Sequence, residues 1–188
     1  MAPKVKITKE DIINAATEIV RKEGTEAINA RNVAAALGCS TQPVFSNFSS
    51  MDELKLAVVD MADSLCADYI KAECEKGEYP HYKASGMAYI RFAKEEKELF
   101  KLLYMRDRSK EANADSVDSP LNDSMISLVQ GNTGLDGQNA GLFHLEMWAV
   151  VHGIATMIAT GFFDLEWELI SKMLTDTYMG LRKQYEME

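Results

Sequence analysis

The stretch from Asn29 to Phe48, NARNVAAALGCSTQPVFSNF, constrains the fold more than any other part of the chain. Two short segments of helical periodicity meet there with room for only a tight turn. Such a crossing needs small residues where the helices touch and a residue tolerant of positive φ in the turn. Ala34 and Ala35 supply the first requirement and Gly38 the second. Asn29 is a good N-cap for a helix running to Leu37, and a short helix follows from about Ser40 to Asn47. Val33, Leu37, Cys39, Val44 and Phe48 are spaced to be buried between them. Pro43 breaks nothing, because at the third helical position its missing N–H had no intrahelical partner, and Ser40 can cap the N–H of Gln42.

The rest of the chain reads helical as well, with proline and glycine between periodic apolar segments and no run of period-two alternation. A first helix opens at Thr8, with Asp11 in capping-box position, buries Ile12, Ala16, Ile19 and Val20, and ends at Gly24. A fourth opens at Ser50, with Glu53 completing a capping box, and reaches about Glu75. Further helices are expected over Tyr82–Glu95, Glu98–Arg106 and Leu121–Gln130, and Ser109–Pro120 is expected to be a polar loop. A glycine-rich turn is expected over Gly131–Gly137. Two long helices, Gln138–Thr160 and Asp164–Glu186, close the chain, with Gly161 stopping the first and Asp164 capping the second. The expected class is all-α. Residues 1–50 form a helix-turn-helix domain and residues 51–188 a helical-bundle body.

Charge supports that division. Of the 188 residues, the first 50 hold six basic and five acidic side chains, whereas the remaining 138 hold fourteen and twenty-four. Affinity for an anionic polymer depends on the local face and not on the net −9, so a small nucleic-acid module on an acidic body fits these numbers. No apolar run is read as approaching the roughly 18–20 residues that span a bilayer, and the basic N-terminus lacks a signal core. Cys39, Cys66 and Cys74 form no CxxC pair, which fits a reducing, cytoplasmic setting. His144, Glu146 and His152 cluster in sequence, but HExxH is absent and the two histidines fall about 80° apart around a helix, so no metal site is expected. No Ser/His/Asp spacing, phosphate loop or paired-carboxylate motif appears, and neither an enzyme nor a cofactor is expected.

Thr41, Gln42, Ser46 and Asn47 are short hydrogen-bonding side chains on the outer face of the third helix. A helix of this kind can enter a major groove, where Gln and Asn pair bidentately with adenine. Pro43 belongs to the same surface. Lys4, Lys6, Lys9, Arg31 and Ser50 are candidate phosphate contacts, and Ser40 is a further candidate DNA-binding residue. The run from Thr8 to about Val58, and above all LGCSTQPVFSNFSSMDEL ending at Leu54, resembles the N-terminal domain of the TetR family of bacterial regulators. That resemblance implies a three-helix DNA-binding domain, an all-helical ligand-binding body and a homodimer formed by the last two helices. Where the family commonly has tyrosine, histidine and lysine, this chain has Phe45, Asn47 and Met51. The helix from Ser40 to Phe48 therefore carries no positive charge, and phosphate anchoring is expected to lean on the N-terminal lysines and Arg31.

In the body, Met87, Phe92, Phe100, Tyr104, Met125 and Phe143 are adaptable apolar side chains that could face a hydrophobic effector, though for any one of them plain core packing is the favoured reading. Trp148, His152 and Gly153 form a W-x-x-x-H-G pattern resembling a Trp-His-Gly class of C-terminal domains in the same family. His152 can donate to an effector or be satisfied by a neighbouring helix. Gly153 costs about 1 kcal/mol in a helix unless close packing compensates. Leu169, Ile170, Met173, Leu174, Thr177, Leu181 and Tyr185 line one stripe of the last helix, suited to an intermolecular four-helix bundle. The expected function is a dimeric repressor released from a palindromic double-stranded operator by a small molecule. Activation, control by a protein partner, and an all-α ligand carrier or enzyme stay open as alternatives.

Overall fold

A computed structural model describes residues 7–106 and 123–185. Among them are nine α-helices and no strand: α1 (Lys9–Glu23), α2 (Ala30–Ala36), α3 (Gln42–Asn47), α4 (Met51–Lys76), α5 (His81–Glu95), α6 (Lys97–Tyr104), α7 (Asp123–Thr133), α8 (Gly137–Ala159) and α9 (Trp167–Gln184). A single 3-10 turn at Thr25–Ala27 lies between α1 and α2. The segment Ser109–Pro120, read as a polar loop, lies outside the described residues.

The helices fall into two compact units. The first holds the described residues through Ala67 together with Glu96–Arg106, so α6 joins α1 to α3 and the first part of α4. Its organiser is α1, which packs on α2, α3 and α6. Ile12, Ala16, Ile19 and Val20 are buried along the stripe their spacing predicts. They join Val33, Ala34, Val44, Phe48, Leu54, Val58 and, from α6, Leu99, Phe100, Leu102 and Leu103 as core. Arg21 ties α1 to α6 through a 2.7 Å bond from Nε to Glu96 Oε2, and also pairs with Glu18.

Local chemistry sets the helix ends. Asp11 N–H donates to Thr8 Oγ1 (3.1 Å) and Thr8 N–H to Asp11 Oδ2 (2.8 Å), a complete capping box. Hydrogen bonds from the Thr8 backbone and hydroxyl hold the Asp11 carboxyl below its ordinary pKa. At α4, Ser50 Oγ accepts from Glu53 N–H (3.1 Å), but the Glu53 carboxylate reaches Ser49 N–H (2.7 Å) and not the cap residue. The glycine-rich turn expected from Gly131 begins later, because α7 runs through Gly131 to Thr133. At α9 the cap position is Glu166, while Asp164 pairs with Lys94 at 2.8 Å. The helix starts later than read, at Trp167, so Asp164 lies two residues before the cap position.

The second unit holds Asp68–Glu95 and the described residues from Asp123 onward. Here α8 is central, packing on α5, α7 and α9. Tyr82, Val129, Ala140, Phe143 and Met147 form a buried cluster, flanked by Met125, Ile126, Leu128, Leu135, Tyr178, Leu181 and Tyr185. A Cβ on Gly86 would lie 3.3 Å from Val151 Cγ2 and 3.5 Å from Leu174 Cδ1, so α5 meets α8 and α9 closely at a position that leaves little room for a side chain. With Glu146 the sole Asp, Glu, Lys or Arg in it, α8 is long and apolar enough by length and composition to cross a membrane. This corrects the reading that no such run exists. The apolarity has a use in the fold, since Phe143, Met147, Val151, Ile154 and Ile158 are all buried.

Candidate nucleic-acid interface and helical body

The hairpin of α2 and α3 is built from its caps inward. Asn29 Oδ1 accepts from the N–H groups of Arg31 (3.1 Å) and Asn32 (3.0 Å), satisfying the first turn of α2. At the other end Gly38 takes φ +63°, Cys39 N–H reaches Ala34 O (2.9 Å) and Gly38 N–H reaches Ala35 O (3.1 Å). This paired closure is a Schellman motif, which turns the chain sharply into α3. Ala34 is buried at the crossing and Ala35 is exposed, so one alanine does the work expected of two. Val33, Val44 and Phe48 are buried as their spacing predicts, whereas Leu37 and Cys39 are only half-buried. The expected Ser40 cap is not formed. Thr41 is the residue preceding α3, no side chain caps that helix, and Pro43 sits in its first turn.

With Val44 and Phe48 turned inward, α3 presents Gln42, Phe45 and Ser46 outward. Thr41, Pro43 and Asn47 are half-buried beside them, and Ser40 is exposed. Two of the polar groups are already engaged. Ser46 Oγ donates to Gln42 O (2.9 Å) and Asn47 Nδ2 donates to Pro43 O (2.8 Å). These bonds leave the serine hydroxyl as an acceptor and the asparagine with its carbonyl oxygen and one amide N–H. Lys9 lies 3.4 Å from Glu53 Oε1, with its ammonium 4.7 Å from the Phe48 ring centroid, so this candidate anchor is partly neutralised. Ser49, first, and Lys9 hold the Glu53 carboxyl below its ordinary pKa. Arg31 is exposed on the first turn of α2, and the Ser50 hydroxyl serves as the cap of α4. Lys4 and Lys6 lie outside the described residues.

The eight candidate effector-facing side chains are not brought into one group. Phe100 and Tyr104 belong to the first unit, where their rings lie 5.1 Å apart and the Tyr104 hydroxyl donates to Cys66 Sγ (3.6 Å). Met87, Phe92 and Phe143 are fully buried core residues of the second unit, and Met125 packs against the cluster that contains Phe143. Trp148 and His152 stack with centroids 4.6 Å apart and planes 10° from parallel. His152 is satisfied by neighbours: Nδ1 lies 3.0 Å from the Tyr89 hydroxyl and Nε2 3.4 Å from Thr156 Oγ1. Burial lowers its pKa. Among the described residues, no three His, Cys, Asp or Glu side chains are grouped to hold a metal.

Sequence reasoning missed a second pair of the same kind. Tyr82 OH lies 2.8 Å from His144 Nδ1 in a buried contact. Tyr82 and Tyr89 are seven apart on α5 and His144 and His152 eight apart on α8, so two turns of each helix carry matching hydroxyl–imidazole contacts. The spacing was visible; the partnership between the helices was not. Also missed was a charged cluster in the second unit. Glu73, only 2% exposed, pairs with Lys76 (2.7 Å) and Arg91 (3.3 Å), and Arg91 stacks 4.4 Å from the Trp167 ring centroid. Burial pushes the Glu73 carboxyl up, but Lys76 and Arg91 outweigh it and hold it below the ordinary value.

A family model described as "Tetracyclin repressor-like, C-terminal domain" matches residues 82–176, just over half of the chain. The chain belongs to the TetR family. Its members are transcriptional regulators, and the helix-turn-helix unit and helical body suit a TetR-like layout. No curated protein matches the sequence. Among solved structures, a TetR-like transcriptional regulator from Rhodococcus sp. RHA1 superposes with a TM-score of 0.69 at 17% identity, over 94% of each chain. A protein of unknown function from the same organism gives 0.75 at 21%, over 96% of this chain and 98% of that one. The multidrug binding protein EbrR, complexed with imidazole, gives 0.63 at 19%, over 89% and 93%. At these identities the likeness carries the TetR fold alone.

Proposed function

We propose that this TetR-family regulator is a cytoplasmic, homodimeric, non-enzymatic repressor that binds a palindromic double-stranded operator through α2 and α3 and is released by a small apolar effector. The observation that carries the reading is the outward face of α3, where Gln42 and its polar neighbours stand exposed on a helix whose opposite side is locked into the core. A helix so mounted is rigid enough to read base edges. Dimerisation is supported by apolar residues left outside on the last two helices. Leu142 and Leu145 on α8 and Leu169 and Met179 on α9 are exposed, whereas Ile170 and Leu174 of the predicted α9 stripe are buried in the protomer's own body. A Cβ on Gly153 would meet nothing within 4 Å, so close packing within the protomer does not compensate for that glycine.

For the effector, the two tyrosine–histidine contacts between α5 and α8 offer polar handles within apolar surroundings, the usual make-up of a small-molecule site. Effector binding would favour a dimer geometry whose reading helices no longer match the half-sites. The test is selection of duplexes from a random pool by the full-length chain, followed by titration at several salt concentrations. The expected result is enrichment of a two-fold symmetric sequence bound by a dimer. Failure to enrich any sequence would remove the reading.

A further inference from the structure

Phe45 is the one large apolar side chain on the exposed face of α3. It is 58% exposed, while Val44 and Phe48 on either side are at most 3% exposed. A phenyl ring left in water beside two well-packed apolar neighbours is not there for the core. Gln42, Phe45 and Ser46 are spaced three and four apart and share one face. Ser46 Oγ and Asn47 Nδ2 are each tied to a backbone carbonyl, Gln42 O and Pro43 O, whereas the Gln42 amide and the Phe45 ring project from the exposed face. No cation stands on this helix to draw it to phosphate. In the major groove the one apolar group a base pair presents is the thymine 5-methyl.

We infer that Phe45 is a specificity-determining residue that reads thymine by packing its ring against the 5-methyl group, one helical turn from a hydrogen-bond reading by Gln42. The inference rests on the proposed DNA-binding role and adds a base preference to it. The operator half-site is therefore expected to hold thymine beside the position read by Gln42. Recognition at that thymine is insensitive to salt, because it neutralises no phosphate.

The experiment uses the full-length chain and the duplex it enriches, with each half-site thymine replaced in turn by deoxyuridine, which lacks only the methyl. At one position per half-site the wild-type chain should lose about fourfold in affinity per half-site, as expected for one buried methyl. Phe45→Ala should bind the thymine and uracil duplexes equally, with an unchanged salt slope. Gln42→Ala should bind more weakly but keep the methyl discrimination. Phe45 is exposed, so its truncation leaves the fold standing, and an unchanged circular dichroism spectrum and melting temperature check this. The inference is overturned if no thymine-to-uracil exchange weakens wild-type binding, if the enriched half-site lacks thymine, or if Phe45→Ala retains the discrimination. If nothing is enriched, the DNA-binding reading fails and the inference goes with it.

Discussion

A buried imidazole costs more to protonate than one in water, and at His152 that cost ties stability to pH. Its folded-state pKa is lowered by burial, so the unfolded chain takes up protons more readily as pH falls through the histidine range. Stability carried by neutral His152 is therefore complete above the ordinary histidine pKa and lost below it. Lowering the pH from about 7.5 to about 5.5 should depress Tm, and His152→Gln should shrink that loss while lowering Tm at the upper pH. A Tm loss on acidification identical in the two proteins would contradict the assignment. The residue was legible in the sequence as one of a Trp–His pair at helical spacing. Its tyrosine partner lies 63 positions away, and no local pattern encodes that pairing.

Between residues and the whole molecule, the elements divide by where their signals reside. Helix ends specified by their own neighbours were readable: Thr8 with Asp11, Asn29 before α2, and Gly38 and Gly161 at positive φ. Ends decided by distant partners were not. Asp164 is drawn to Lys94 from the far side of the sequence, and α7 passes through a glycine that reads as a turn. Among candidate site residues the same rule holds, since α3 is a local motif whereas the apolar side chains of the body are separated only by tertiary packing. Gly86 is an instance the sequence concealed, a mid-helix glycine whose reason lies on two other helices. Gly86→Leu should force α5 away from Val151 and Leu174 and cost about 1–3 kcal/mol, measured by chemical denaturation. A cost within the range of ordinary surface substitutions would show that the contact gives way freely.

For the whole molecule, the proposed assembly turns on the outer face of α8. Leu145 is 38% exposed there and is not among the buried core residues of its own protomer. Leu145→Glu would place a charge in an apolar dimer interface, and should convert the protein to monomers in sedimentation velocity with its helix content unchanged. Binding to a full palindrome should weaken in parallel, while a persistent dimer would move the interface elsewhere. The membership of α6 in the first unit has a different consequence, one for recombination. The reading head is not a detachable N-terminal piece, because its core is completed by Leu99, Phe100, Leu102 and Leu103, which the chain supplies only after passing through α5. A graft cut cleanly after α4 would leave uncovered the part of α1 that packs on α6. Chimaeras that exchange heads among such regulators must therefore transplant two segments, and natural exchange by a single crossover would be punished at this joint.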